Sequence, residues 1–207
     1  MGHACCHADP ATPPQAPPPR MRRVLWIALI VNAAMAAVEI GGGLQSASVS
    51  LLADAVDFFG DAANYGLSLA VLSLGLAWRA RAAAVKGWSM GLYGAGVLLH
   101  ALWNAANGRT PEPIMMGLIG TLALTANLGV AALLYRWRDG DANMRSVWLC
   151  TRNDAIGNLA VLAAAAGVFG TGTRWPDLLV AAVMALLALS AAFSVVRQAR
   201  AELARAA

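Results

Sequence analysis

Charge is what this sequence has least of. Only 13% of its 207 residues are Asp, Glu, Lys or Arg, about half of the roughly 25% carried by a soluble domain. Too few charges remain to cover a water-facing globule of this size, which excludes an ordinary soluble protein of one or two domains. Cysteine is scarce as well: there are three, two of them adjacent, and they form no disulfide framework. Aromatic residues make up 7%. Proline almost vanishes after residue 19, since six of the nine (Pro10, Pro13, Pro14, Pro17, Pro18 and Pro19) precede residue 20. What fills the chain is apolar: hydrophobic residues reach 59% and mean hydropathy is +0.59. Ala and Gly dominate that fraction, and small side chains suit close helix packing in lipid. These features describe an all-α polytopic membrane protein.

From Val24 onward the chain is a series of long apolar runs. Uncharged stretches at 62–78, 87–108, 113–135, 155–173 and 178–196 each approach or exceed the ~20 residues needed to cross ~30 Å of hydrocarbon. With 24–43, broken only by Glu39, they predict six transmembrane helices at about 22–43, 48–77, 86–107, 114–136, 144–169 and 177–198. Turn signals separate them: Gly41-Gly42-Gly43, Asn107-Gly108 with Pro111 and Pro113, Asp139-Gly140, and Gly170-Thr171-Gly172 before Pro176. The first run is longer than the apolar core of a signal peptide and follows a proline-rich arm, so it is expected to remain as a span. The expected organisation is a disordered Pro-rich arm over 1–20, a six-helix membrane domain over 21–199 and a short tail over 200–207. No soluble domain is expected after helix 6, which places the activity within the bilayer.

An even number of spans puts both termini on one side. Arg20, Arg22, Arg23, Arg79, Arg81, Lys86, Arg136, Arg138, Arg145, Arg197, Arg200 and Arg205 fall on that side, and Arg109 and Arg174 on the other. The positive-inside rule therefore predicts cytoplasmic termini. Short basic stretches between apolar runs carry topology information and do not form a nucleic-acid patch, so no nucleic-acid partner is expected.

Against this background the acidic residues inside the spans stand out. Helix 2 holds Asp54, Asp57 and Asp61; helix 5 holds Cys150, Arg152 and Asp154; helix 1 holds Glu39. An ionised side chain at the bilayer centre costs at least ~2.5–3.5 kcal/mol on insertion scales. Three on one helix are tolerable only if protonated, paired or occupied by a cation. Asp57 and Asp61 are one turn apart on one face, and Cys150 and Asp154 share that separation. Helices 2 and 5 run in opposite directions, so the two pairs can meet at one depth and offer three oxygens and one sulfur. Four such ligands suit a tetrahedral divalent ion. Carboxylates alone favour Mg²⁺, Ca²⁺ or Mn²⁺, whereas a thiolate moves the preference to Zn²⁺ or softer ions. Blander roles stay open at this point. An intramembrane Asp is often only a hydrogen-bonding partner, Arg152 can pair with one, and a buried Cys is commonly a small apolar residue. Asn32, Asn64, Asn127 and Asn158 are expected to hydrogen-bond between helices. Glu39 and Asp177 lie near span ends, within reach of solvent.

The segment Ser48-Val-Ser-Leu-Leu-Ala-Asp54-Ala-Val-Asp57-Phe-Phe-Gly-Asp61 resembles the second-helix signature of the cation diffusion facilitators. Asn143-Met-Arg-Ser-Val-Trp-Leu-Cys150-Thr-Arg-Asn-Asp154-Ala resembles their fifth-helix signature. Glu39-Ile-Gly-Gly-Gly-Leu and Trp175-Pro-Asp177 are also similar to the family pattern. The resemblance implies the cation-efflux transmembrane fold and a homodimer in the lipid bilayer. It further implies export of Zn²⁺, or of Cd²⁺ or Co²⁺, by exchange for protons, with no permanently bound cofactor and no enzymatic activity. It maps the transport site onto Asp57, Asp61, Cys150 and Asp154, with Asp54, Glu39, Arg152, Asn158 and Asp177 as a supporting polar network. Two departures are noted. The family most often has His where Cys150 stands, which leans the preference toward thiophilic ions. Its C-terminal cytoplasmic domain has no counterpart after helix 6, so the chain resembles a short form that would dimerise through its membrane helices.

Two rival readings share the buried acids. An intramembrane aspartyl protease also needs two embedded aspartates, but its Gly-x-Gly-Asp signature is replaced here by Phe58-Phe59-Gly60 before Asp61. An organic-cation pump would want an aromatic-lined cavity, and near the acids the helices supply only Phe58, Phe59 and Tyr65. The arm residues His3, Cys5, Cys6 and His7 form a soft-donor cluster suited to capturing metal. Adjacent cysteines fit poorly into one tetrahedral shell, so deletion of residues 2–9 is expected to leave maximal turnover intact and to weaken flux only at low metal, as measured by metal-dependent flux in vesicles.

Overall fold

The computed structural model describes residues 19–70, 76–136 and 142–206, with the side chains of 142–153 outside the description. Six helices account for almost all of it: α1 (Pro19–Ser46), α2 (Val49–Ala70), α3 (Leu76–Asn107), α4 (Pro113–Tyr135), α5 (Ala142–Thr171) and α6 (Trp175–Ala206). The all-α architecture and the order of elements are as expected; several boundaries are not.

The Gly41–Gly43 triplet does not end α1, which continues to Ser46. These glycines serve packing. A Cβ on Gly43 would stand 2.9 Å from the Leu52 side chain of α2, and one on Gly42 would fall onto Ile119 of α4. Small residues let helices approach closely where lipid gives no hydrophobic drive to associate. The chain turns at Ala47, which takes a left-handed φ of 57°. Its neighbour Ser48 donates its N–H to Gly43 O at 3.0 Å, closing a Schellman-type cap. The predicted second span, 48–77, also divides: α2 is described to Ala70 and α3 already begins at Leu76, ten residues before the expected start. The added turns contain Ala77, Ala80, Ala82, Ala83 and Ala84, strong helix formers that sustain a helix beyond an apolar run. For the same reason α6 extends to Ala206, through most of the stretch read as a tail.

Among the described residues, α1, α4, α5 from Asp154 and α6 are each long and apolar enough to cross a membrane. By composition α2 falls short because of its aspartates, and α3 because it is glycine-rich and opens with basic residues. The packing compensates. The main helix pairs are α3 with α6, α1 with α2 and α4 with α5, and α2 also touches α3, α4, α5 and α6. The most acidic helix is therefore the central one. Outward-facing positions are apolar, with Ile30, Leu92, Leu99, Leu118, Phe169 and Phe193 all exposed. That is the inverse of a soluble bundle and the pattern lipid demands. Trp26, Trp78, Trp88, Trp103 and Trp175 are exposed too. Arg81 lies over the Trp78 ring at 5.2 Å and Arg200 of α6 over Trp88 of α3 at 5.7 Å, pairings suited to a headgroup layer.

The largest apolar cluster lies at the end of the bundle that holds the α1–α2 turn. Val49 and Leu52 meet Val97 and Ala101 of α3, Met116 and Ile119 of α4, Val161 and Val168 of α5, and Leu178 and Ala181 of α6. Substituting Gly42→Val forces Ile119 or the α1–α4 contact apart. The expected loss is about 1–3 kcal/mol, measurable as a lower thermal midpoint in detergent, whereas Gly41→Ala, where a Cβ meets nothing within 4 Å, leaves it unchanged.

Candidate metal-transport site

Three aspartates on α2 follow the spacing i, i+3, i+7, which forms one stripe along the helix. Asp54 and Asp61 are buried, 1% and 6% exposed, and Asp57 between them is half-buried. Asp61 accepts a hydrogen bond from Tyr65 Oη at 3.0 Å, one turn further along α2. From α5, the half-buried Asp154 brings its carboxyl into hydrogen-bonding range of Asp61 and feels the charges of Asp57 and Asp54. Close approach of the two helices is helped by Gly157, where a Cβ would already stand 3.8 Å from Asp54 Oδ1. Asp61 of α2 and Asp154 of α5 thus lie close to one another. Among the described residues no three His, Cys, Asp or Glu side chains are gathered into a metal shell. The predicted shell includes Cys150, which, like Arg152, has its side chain outside the described residues; His3, Cys5, Cys6 and His7 lie outside them altogether.

The supporting residues divide into two kinds. Glu39 and Asp177 are not within reach of solvent, as their positions near span ends suggest, but are 0% and 1% exposed. The cause is packing, because α1 runs beyond Glu39 to Ser46 and Asp177 faces the start of α2. Glu39 lies in hydrogen-bonding range of Asp54. Yet all four oxygens of the two carboxyls lack a donor among the described residues. Two acceptors cannot satisfy one another, so the pair is stable in a low dielectric only with a proton or cation between its members. Asp177 is the opposite case, a carboxylate surrounded by donors: Ser48 Oγ (2.7 Å), Ser50 Oγ (2.6 Å) and the backbone N–H groups of Val49 (2.8 Å) and Ser50 (3.1 Å).

The asparagines do not form the interhelical network their positions suggest. Asn32 bonds within its own helix to Ala28 O at 2.8 Å, and Asn127 Oδ1 and both polar atoms of Asn158 are buried without a partner. Among the described residues only Asn64 bridges helices, accepting from Lys86 of α3. Lys86 and Tyr65 are the residues that sequence reasoning missed. One was read as a topology charge and the other as an aromatic. The signal for Tyr65 was its spacing of four from Asp61; for Lys86 nothing in the sequence links it to Asn64.

A bundle whose central helix holds acidic side chains against a second acidic helix, with an apolar exterior, defines an integral membrane protein. Comparison with known proteins agrees. Residues 81–204 match the family described as the cation efflux transmembrane domain. The chain is 24% identical over 192 residues to a cadmium, cobalt and zinc/H(+)-K(+) antiporter of Bacillus subtilis, covering 85% of this chain and 61% of that protein. It is 25% identical over 184 residues to the metal cation efflux system protein CzcD of Cupriavidus metallidurans, covering 81% and 57%. The chain belongs to the cation efflux family, the cation diffusion facilitators. It spans about three-fifths of the length of these relatives.

Tyr65→Phe keeps the buried ring and removes the hydroxyl that donates to Asp61 Oδ2. The expected loss is about 1–3 kcal/mol, below the ~3–5 kcal/mol for truncating a buried aromatic to Ala; thermal unfolding of the two variants in one detergent orders them.

Proposed function

We propose that this protein exports divalent transition-metal cations from the cytoplasm in exchange for protons, with Zn²⁺ the first substrate and Cd²⁺ or Co²⁺ also accepted. The observation that supports it best is the approach of Asp154 on α5 to Asp61 on α2 inside a membrane-buried group of carboxyls. The relatives, a cadmium, cobalt and zinc/H(+)-K(+) antiporter and a metal cation efflux system protein by name, point to the same class of substrate.

In this reading Asp57, Asp61 and Asp154 give three oxygens and Cys150 a thiolate, a tetrahedral set suited to Zn²⁺ and softer ions. Metal ligands must be deprotonated to bind, so metal entry expels protons and reprotonation expels metal. The cluster then holds one kind of positive charge or the other, and that requirement couples the two fluxes. The charge distribution favours cytoplasmic termini in a bacterial-type inner membrane, with two copies forming a homodimer through membrane helices. Residues 1–20 form a cytoplasmic arm with an accessory capture role.

Asp57→Ala or Asp61→Ala is expected to abolish proton-dependent Zn²⁺ uptake into inside-out vesicles, and undiminished uptake would end the reading. Cys150→His is expected to keep Zn²⁺ flux and lower Cd²⁺ flux about tenfold or more, because an imidazole replaces the softer sulfur; Zn²⁺ and Cd²⁺ flux assayed in the same proteoliposomes checks it.

A further inference from the structure

We infer that Glu39 is a neutral carboxylic acid whose hydroxyl donates to Asp54, and that this proton stays in place whether the transport site is empty or filled. The bond is then a fixed tie between α1 and α2, outside the exchange of metal for protons. Only the statement about the filled site rests on the transport reading.

Glu39 and Asp54 lie within hydrogen-bonding range across the α1–α2 contact. They are 0% and 1% exposed, so water cannot complete them, and none of their four oxygens has a donor among the described residues. The amides and hydroxyl nearest to them are engaged or out of reach. Asn32 Nδ2, two turns before Glu39 on α1, donates to Ala28 O. Asn158 Nδ2 of α5 reaches no acceptor, although the neighbouring backbone at Gly157 comes close to Asp54. Tyr93 of α3 is near enough to feel the charge of Glu39 but gives it no hydrogen bond. The charges that face the pair are all of one sign: Glu39 meets those of Asp54 and Asp57, and Asp54 acts on Asp154 of α5. α4, which also packs on α1, has no ionisable residue from Pro113 to Leu134, and α6 has none between Asp177 and Arg197. An ionised pair would be stranded there, so a positive charge has to lie between its members.

Coordination decides which positive charge it is. Ca²⁺ takes roughly 6–8 oxygens, and Mg²⁺ about six with several of them waters. Zn²⁺ takes about four ligands. Two carboxyl groups closed off from water, with no third Asp, Glu, His or Cys gathered at them among the described residues, meet none of these demands. A proton needs only one oxygen to carry it and one to accept it. Glu39 is the carrier because it faces two negative neighbours on α2. Filling the transport site does not dislodge this proton. Three carboxylates and a thiolate around a divalent ion leave a net charge of about −2, one turn along α2 from Asp54. The empty, protonated site is close to neutral, so neither state repels a proton at Glu39.

The chain has three glutamates, Glu39, Glu112 and Glu202, so carboxyl-¹³C glutamate in a Glu112→Gln/Glu202→Gln background labels Glu39 alone. Infrared spectra of that full chain in lipid nanodiscs at neutral pH are expected to show the labelled band of a protonated carboxyl, shifted in D₂O and equally strong with and without Zn²⁺. Adding Glu39→Gln is expected to abolish it. The glutamine amide has the shape of the protonated acid and donates to Asp54 in its place. Glu39→Gln is therefore expected to keep the thermal midpoint in detergent within about 2 °C, whereas Glu39→Ala strands Asp54 and lowers it by at least about 5 °C. Protons released per Zn²⁺ bound, read with a pH indicator in weak buffer, are expected to be equal with Glu39 and with Gln at this position. A labelled band at the carboxylate position, a protonated band that vanishes when Zn²⁺ is added, or fewer protons released by Glu39→Gln overturns the inference. So does a midpoint that rises with K⁺ or Mg²⁺ at constant ionic strength unless Glu39→Gln is present, since a bound cation then takes the proton's place. A protein that neither binds nor carries Zn²⁺ counts against the proposed transport alone, because the band in Zn²⁺-free samples stands without it.

Discussion

A carboxylate surrounded by hydrocarbon has to meet a positive charge or a set of donors, and nearly every feature of this bundle follows from that requirement. Burying an unpaired ion costs more than most single packing contacts return. The chain nevertheless places Glu39, Asp54, Asp61 and Asp177 among its most buried residues. Such a sequence can fold in a bilayer only if its acidic helix is enclosed by the others. α2 is the helix that all the rest touch. The apolar side chains, denied a water-driven core, turn outward to lipid, and small residues such as Gly42, Gly43 and Gly157 set how closely the enclosing helices approach.

The same side chain has two opposite solutions within about 18 Å along α2, at ~1.5 Å per residue. At its start the carboxylate of Asp177 is saturated by two hydroxyls and two backbone amides, an arrangement that is fully satisfied and leaves nothing for a ligand. Toward its middle, Asp54 faces Glu39 with no donor to either carboxyl among the described residues, and Asp61, which accepts from Tyr65, faces Asp154. Acceptors gathered without donors are poor glue. Their arrangement makes sense as a place that a cation or proton completes. Asp177 and the Glu39–Asp54 pair are distinguished by the count of donors around them, since all three are fully buried.

That distinction also marks how far the sequence could be read. The six helices, the acidic stripe on α2 and its meeting with Asp154 were legible, because hydrophobic run length and the spacing of four both act within one helix. The chemistry around each acid was not. Glu39 and Asp177 stand near predicted span ends, and only the tertiary packing shows that one faces Asp54 and the other caps α2. The Gly41–Gly43 triplet reads as a turn in a soluble protein; in a bilayer the neighbouring helices make glycine a contact surface, and the turn moves to Ala47. The start of α3 was missed for a related reason, since an apolar run records what lies in lipid and says nothing of a helix that continues past it on alanine.

The distribution of these interactions gives the bundle a direction. One end, at the α1–α2 turn, is tied by hydrogen bonds. Asp177 holds α2, and Glu112 N–H donates to Ser46 O at 2.9 Å while its side chain caps α4 through Ile114 and Met115. The broad apolar cluster of α2 through α6 seals that same end. Toward the opposite end, among the described residues, Leu25, Ala28, Tyr65, Val130 and Leu134 join α1, α2 and α4. The carboxyl groups lie between the two regions. In that position they are shielded from lipid by the helices packed around α2.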